Sequence, residues 1–390
     1  MHAERQKEEE QRKMDKARPD WNGKGLSIGE LHVRAPIVQG GMGIGVSGYR
    51  LASAVAEAGG IGVLSAVGLG ILKRDLEEDA PGIAEKSGES LGLTMLRREI
   101  RAARKRTKGV LGVNIMTAVS DFQEAARVAA EEGIDIIFSG AGLPLTLPEC
   151  LAAGSRTKLV PIVSSAKAAK LIARRWKSAY GYVPDAFVLE GPKAGGHLGF
   201  SAEQIEDPAY RLQALLPQVL EEAERIGRES GKEIPVIAAG GIYTGADIAE
   251  MLALGAAGVQ MATRFVATEE CDADEAFKKA YVQCRKEDIA IIQSPVGMPG
   301  RAIWNTFLKE AREGKKRPEV CRNNCITPCP KTNAAYCISE ALVHAFYGRL
   351  DQGFAFIGAN GYRIREITTV EKLFKELEEG FRAAEGGQCG

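Results

Sequence analysis

From Ala35 to Thr263 the chain alternates between short, almost wholly apolar runs and longer stretches with apolar residues at helical spacing. The runs read "APIVQGG", "IGVLSA", "VLGVNIM", "IDIIFSG", "KLVPIVSS", "DAFVLEG", "IPVIAAGG" and "GVQMATR". Apolar residues on both faces of a short, β-branched run mark a strand covered by helices on either side, as in parallel sheets. Between the runs, "SDFQEAARVAAEEG" and "TGADIAEMLALGA" carry the amphipathic helical pattern, and Gly255 suits the C-cap of the second. Eight strand–helix units in this order predict an α/β fold, a (β/α)8 TIM barrel. In that architecture the chemistry sits at the C-terminal ends of the strands.

Polar residues and glycines gather just past those ends: Gln39 to Met42, Asn114, Ser139-Gly140, Ser164-Ser165, Glu190 to His197, Gly240-Gly241 and Gln260 to Thr263. Glycine there lets backbone approach a flat or phosphorylated ligand closely. Gly43-Ile-Gly45-Val-Ser-Gly48 also fits the G-x-G-x-x-G turn of dinucleotide-binding folds. That fold needs an acid at the end of the second strand, and none occurs before Asp75. Room for a ligand over a barrel mouth therefore explains the glycines better than a pyrophosphate turn. The loops after strands seven and eight, with Gly240, Gly241 and Thr263, have the character of a barrel phosphate site.

Two regions exceed a minimal barrel. Residues 67–108 form an insertion between the second and third strands and include the basic helix "LRREIRAARKRTK", suited either to solvent or to an acidic carrier or phosphorylated substrate. After the eighth strand a further hundred or so residues suggest a smaller helical subdomain. The expected partition is a charged arm over 1–30, the barrel over 31–285, and a C-terminal lid or subdomain over 286–390. The chain of 390 residues balances 51 basic against 51 acidic side chains, which argues against nucleic-acid or membrane-surface partners. No apolar run is long enough to span a bilayer, and the opening residues lack a signal-peptide core. Eight cysteines in such a chain point to a reducing cytoplasm.

Four of those cysteines, Cys321, Cys325, Cys329 and Cys337, fall within seventeen residues, and Cys329 precedes a proline as iron–sulfur ligands often do. The spacing matches neither the usual ferredoxin run nor a zinc-finger pair, so an iron–sulfur cluster, a zinc site and unligated thiols all stay open. Among four histidines, His2 and His32 lie in or near the arm and His344 in a helical pattern. His197 stands alone directly after strand six, where it could move a proton near neutral pH.

The segments "PIVQGGMG", "GVNIM", "EGPKAGGHLG", "PVIAAGGIYTGADIAEMLALGAAGVQMATRF" and "SPVGMPGRAIWNTFL" resemble the nitronate monooxygenases, a pattern shared with flavin-dependent enoyl-acyl-carrier-protein reductases. A weaker echo follows in "FYGRLDQGFAFIGANG". The resemblance implies bound FMN, with Gly40, Gly41, Met42 and Asn114 at the flavin and Glu190 and Gly195 bordering ring and ribityl chain. It places Gly240, Gly241, Gln260, Met261, Ala262 and Thr263 around the phosphate and makes His197 the acid–base group. It implies oxidation of alkyl nitronates, or alternatively NAD(P)H-dependent reduction of an enoyl thioester with an acyl carrier protein as partner, in a chain that can assemble as a homodimer. A flavin- or metal-binding regulatory module is the alternative from another class. The family commonly has Gln where Glu190 stands and Glu where Lys193 stands; a carboxylate beside a flavin calls for protonation or a partner, and Lys193 is near in sequence. The late "GANG" lacks a glutamine often found there.

Overall fold

A computed structural model of the chain describes residues 21–76 and 90–387. Eight parallel strands run in the order β3 (Ile37–Gln39), β11 (Gly258–Met261), β10 (Val236–Ala239), β8 (Phe187–Glu190), β7 (Lys158–Val163), β6 (Ile136–Gly140), β5 (Leu111–Met116) and β4 (Gly62–Ser65). The ring closes between β3 and β4, where Ile61 N donates to Ile37 O and Gln39 N to Ile61 O, both at 2.9 Å. The expected (β/α)8 barrel is therefore formed, with every strand at the position its apolar run predicted.

The barrel interior is a compact apolar layer of Val38, Val63, Ile136, Phe138, Val160, Val188 and Ile237. Its lower end is plugged by the hairpin β1 (Leu26–Ile28) and β2 (Leu31–Val33), whose Leu26, Ile28 and Val33 join the same layer. The expected arm thus divides: residues 1–20 lie outside the described residues, whereas Trp21 onward is folded, with the buried Trp21 ring against Phe381.

A larger core lies between strands and helices. It takes one face each from α1 (Tyr49–Glu57), α3 (Leu91–Arg106), α4 (Phe122–Glu131), α5 (Ala166–Tyr180), α7 (Leu212–Ser230) and α8 (Gly245–Ala253). The insertion supplies α2 (Leu69–Leu76) and α3, and the remainder of it, residues 77–89, lies outside the described residues. Arg97 pairs with Glu131 and Glu132, Arg101 with Glu132, and Arg104 with Asp135. Those three arginines of the basic helix pair with carboxylates at and just past the C-terminal end of α4, while Arg98, Lys105 and Arg106 of the same helix stay exposed.

After the short α9 (Thr263–Val266) the chain leaves the barrel and builds a cap. The cap holds α10 (Glu275–Gln283), the strands β12 (Ile289–Gln293) and β13 (Pro299–Ile303), α11 (Thr306–Arg312) and α12 (Ile338–Phe346). It then returns as α13 (Val370–Gly387), which packs against α8 and α1 and buries Leu373, Phe374, Leu377 and Phe381 in the barrel's outer core. The last helix of the chain completes the barrel.

Candidate active site

The mouth of the barrel carries a cavity whose floor and walls come from seven of the eight strand ends. Gly40, Gly41, Met42, Asn114, Glu190, Gly195, His197, Gln260, Ala262 and Thr263 line it together. At its edge a second pocket is lined by Gly240, Gly241 and Met261 along with Glu190, Gly195, Gln260 and Thr263. Every residue expected at the flavin, and the expected acid–base histidine, is thus brought to one place. The approach is close enough to exclude side chains: a Cβ on Gly41 would lie 2.3 Å from Asn114 Cβ. Gly240 and Gly241 have φ of +95° and +91°, and a Cβ on Gly240 would lie 2.7 Å from Gly191 O. Such a glycine-walled trough at a helix start is what a flat ring with a phosphate tail requires.

The cap supplies residues that sequence reasoning missed. Asn360 Nδ2 donates to Gly241 O at 2.5 Å, and Gly358 N donates to Thr263 Oγ1 at 3.0 Å, so "GANG" clamps the loops after β10 and β11. The buried Arg301 on β13 donates to Pro192 O and Ala194 O, each at 2.6 Å, and so fixes the course of the Gly191–Gly196 loop. Phe277, Tyr281, Leu342 and Phe356 close the cavity from above. The weak "FAFIGANG" echo was the available signal for the clamp; nothing local marked the aromatic roof.

His197 sits on the two-residue strand β9 (Gly196–His197), paired antiparallel to β13 through Gly300. Its Nε2 lies 2.7 Å from Ser294 Oγ, and its ring meets Phe356 edge-on at 5.0 Å between centroids. Burial lowers its pKa to about 4, so the imidazole is neutral at neutral pH. When Nε2–H donates to Ser294 Oγ, Nδ1 keeps its lone pair for a proton. Ser294 lies within the family-like segment "SPVGMPG", but its role is visible only once β12 and β13 fold back over the mouth.

Glu190 ends β8. Burial alone pushes its carboxyl up to about 7. The expected partner Lys193 is not one: among the described residues no ion pair joins them, and the Lys193 stem instead packs toward Gly241.

The four-thiol metal centre is not formed. Cys321, Cys325, Cys329 and Cys337 are free, and among the described residues no three His, Cys, Asp or Glu side chains are arranged to hold a metal. Local contacts engage the segment instead. Cys325 Sγ lies 2.9 Å from Ser339 Oγ, and Cys337 precedes the first turn of α12. Backbone pairing ties the segment to the loop after β5, through Ser120 N to Cys325 O and Thr327 N to Ala118 O. His32 lies 3.0 Å from Ser27 Oγ in the hairpin, and His344 lies on α12 but is not among the residues lining the cavity; His2 is outside the described residues. No described helix is long and apolar enough to cross a membrane.

Residues 26–380 match the family model for nitronate monooxygenase. The chain is 30% identical over 291 residues to (3aS,4S,5R,7aS)-5-hydroxy-7a-methyl-1-oxo-octahydro-1H-indene-4-carboxyl-CoA dehydrogenase of Mycobacterium tuberculosis, covering 73% of this chain and 68% of that one. The Rhodococcus jostii enzyme of the same name is 31% identical, with the match spanning 72% of this chain and 65% of the relative, just under two thirds of its length. A probable nitronate monooxygenase of Staphylococcus saprophyticus is 27% identical, over 82% of this chain and 90% of the relative. Among solved structures, FabK from Thermotoga maritima superposes with a TM-score of 0.68 at 26% identity, covering 92% and 96% of the two chains. Nitroalkane oxidase from Streptomyces ansochromogenes shares the fold, with a TM-score of 0.67 at 23% identity over 91% and 98%. With its barrel, its cavity and these matches in accord, the chain belongs to the nitronate monooxygenase family of flavin-dependent oxidoreductases.

Proposed function

We propose that this protein is an FMN-dependent oxidoreductase that draws electrons from an alkyl nitronate. The observation that carries the reading is a neutral histidine, His197, roofing a glycine-walled cavity that has no charged group beyond Glu190 among its lining residues. The residues present fit the cofactor: Gly240, Gly241 and Thr263 would hold the phosphate, and Gly40, Gly41, Met42, Asn114 and Gln260 the ring and ribityl chain. FMN, when bound, supplies a two-electron acceptor. His197 takes or returns a proton at the substrate, with Ser294 holding its ring. Val46, Val67, Met116, Val266, Phe277 and Leu342 offer an apolar wall to an alkyl chain and exclude water.

A second reading has its own support. The relatives at 30% and 31% identity are named for an acyl-CoA substrate, and FabK shares the fold at 26% identity. On this reading NAD(P)H is the donor and a CoA or carrier-protein enoyl thioester the acceptor. The free cysteines suit the reducing cytoplasm for either reaction. Anaerobic spectra decide between them. Bleaching of the flavin by a nitronate, with no bleaching by NADH or NADPH, is the expected result. Bleaching by a nicotinamide, reversed by an enoyl thioester, would replace the first reading with the second.

A further inference from the structure

Glu190 is a half-buried ionisable group of the cavity for which the scheme above has no use. It stands at the C-terminal end of β8, where the cavity at the barrel mouth meets the phosphate-side pocket, and it lines both. Its carboxyl has no side-chain hydrogen bond or ion pair among the described residues. The ionisable groups sharing those cavities with it are His197 and Tyr281 on one side and Lys193, Tyr243 and Arg264 on the other. None of them balances it. His197 and Tyr281 are held neutral by burial, and burial raises Tyr243 as well. Arg264 is taken by Tyr243 O and Glu376. Lys193 makes no ion pair with Glu190.

An uncompensated carboxylate beside an electron-accepting ring is unfavourable, and the ring will carry more negative charge once reduced. A carboxylic acid in the same place is a hydrogen-bond donor. Resting on the FMN reading above, we propose that Glu190 works as a neutral acid that donates a hydrogen bond to the bound flavin, making cofactor affinity and potential depend on its protonation. The proton stays on Glu190 and no bond forms or breaks. Loss of that proton places a negative charge against the ring, which weakens binding and lowers the reduction potential. By linkage, FMN holds the proton on Glu190 more tightly than the apoprotein does. Burial already brings this titration to about 7, so it falls within an accessible range.

The test uses the full-length apoprotein reconstituted with FMN, as wild type and as Glu190→Gln, which keeps a donor but cannot ionise. In the wild type the Kd for FMN should rise above neutral pH, approaching tenfold per pH unit, and binding at pH 8 should take up close to one proton. In Glu190→Gln both effects should vanish, with affinity near the wild type's acid limit. If Glu190→Gln fails to fold, wild type alone still decides. Infrared difference spectra of FMN binding at pH 8 should show the carbonyl band of a protonated carboxylic acid. The same pH dependence and proton uptake in both proteins, or no acid band, would overturn the inference. Failure of the wild type to bind FMN at any pH would instead sink the functional reading beneath it.

Discussion

His197 is held by a contact that spans ninety-seven residues of chain, to Ser294 Oγ. Local sequence therefore showed the histidine and hid its partner. The same holds at the loop after β10: Gly240 and Gly241 were legible from their place after strand seven, whereas Asn360, which donates to Gly241 O, comes from 119 residues downstream. Glu190 was noticed as a departure from the family pattern, but its lack of a partner could be read only in three dimensions. The histidine's environment yields a prediction with a definite sign. A base whose pKa is lowered to about 4 is neutral above that pH, so the substrate half-reaction should lose rate only as pH falls through about 4, and not near 6.5. Measured in Glu190→Gln, so that no other cavity carboxyl titrates, an acid limb near 6.5 would contradict this assignment. His197→Ala should keep FMN yet slow flavin reduction by about 10² to 10⁴. Ser294→Ala, which leaves the base but frees its ring, should slow the same step less and shift the acid limb; an unchanged limb would leave Ser294 without a positioning role.

At the scale of elements, the strands were the most legible part, because parallel strands buried on both faces must be apolar throughout. The cysteine segment was the least. Four thiols close in sequence suggested convergence, but backbone pairing to the loop after β5 and the start of α12 set their positions instead. The insertion helix α3 is bound to the barrel by more than its arginines. Glu99 accepts from Tyr49 N at 2.8 Å and Asp272 from Gly48 N at 3.0 Å, so two carboxyls from distant elements cap the start of α1. Burial raises Glu99 to about 7 and Asp272 to about 6. The folded state thus keeps protons that the unfolded chain has released above about 4 to 4.5. Stability should therefore fall as pH rises from that range through about 7, the reverse of an ordinary paired carboxylate. Glu99→Gln should remove its share of the slope, roughly 1–3 kcal/mol between pH 5 and 8, as judged by denaturant unfolding at the two pH values. Equal slopes in both proteins would show that Glu99 does not titrate across folding.

For the molecule as a whole, six of the first seven strands are followed by an α-helix and β6 by only the short 3-10 turn Leu147–Cys150; after the eighth strand the chain departs to make the roof of its own site and then returns as the outer helix α13. The apolar spacing of α13 says "helix", and only its packing on α8 and α1 says which neighbours it serves. The roof and barrel share one cavity, and the central claim is that a flavin fills it. Denaturing the purified protein, or apoprotein reconstituted with FMN and freed of excess, should release FMN at about one per chain. Release of no flavin after reconstitution would contradict the account.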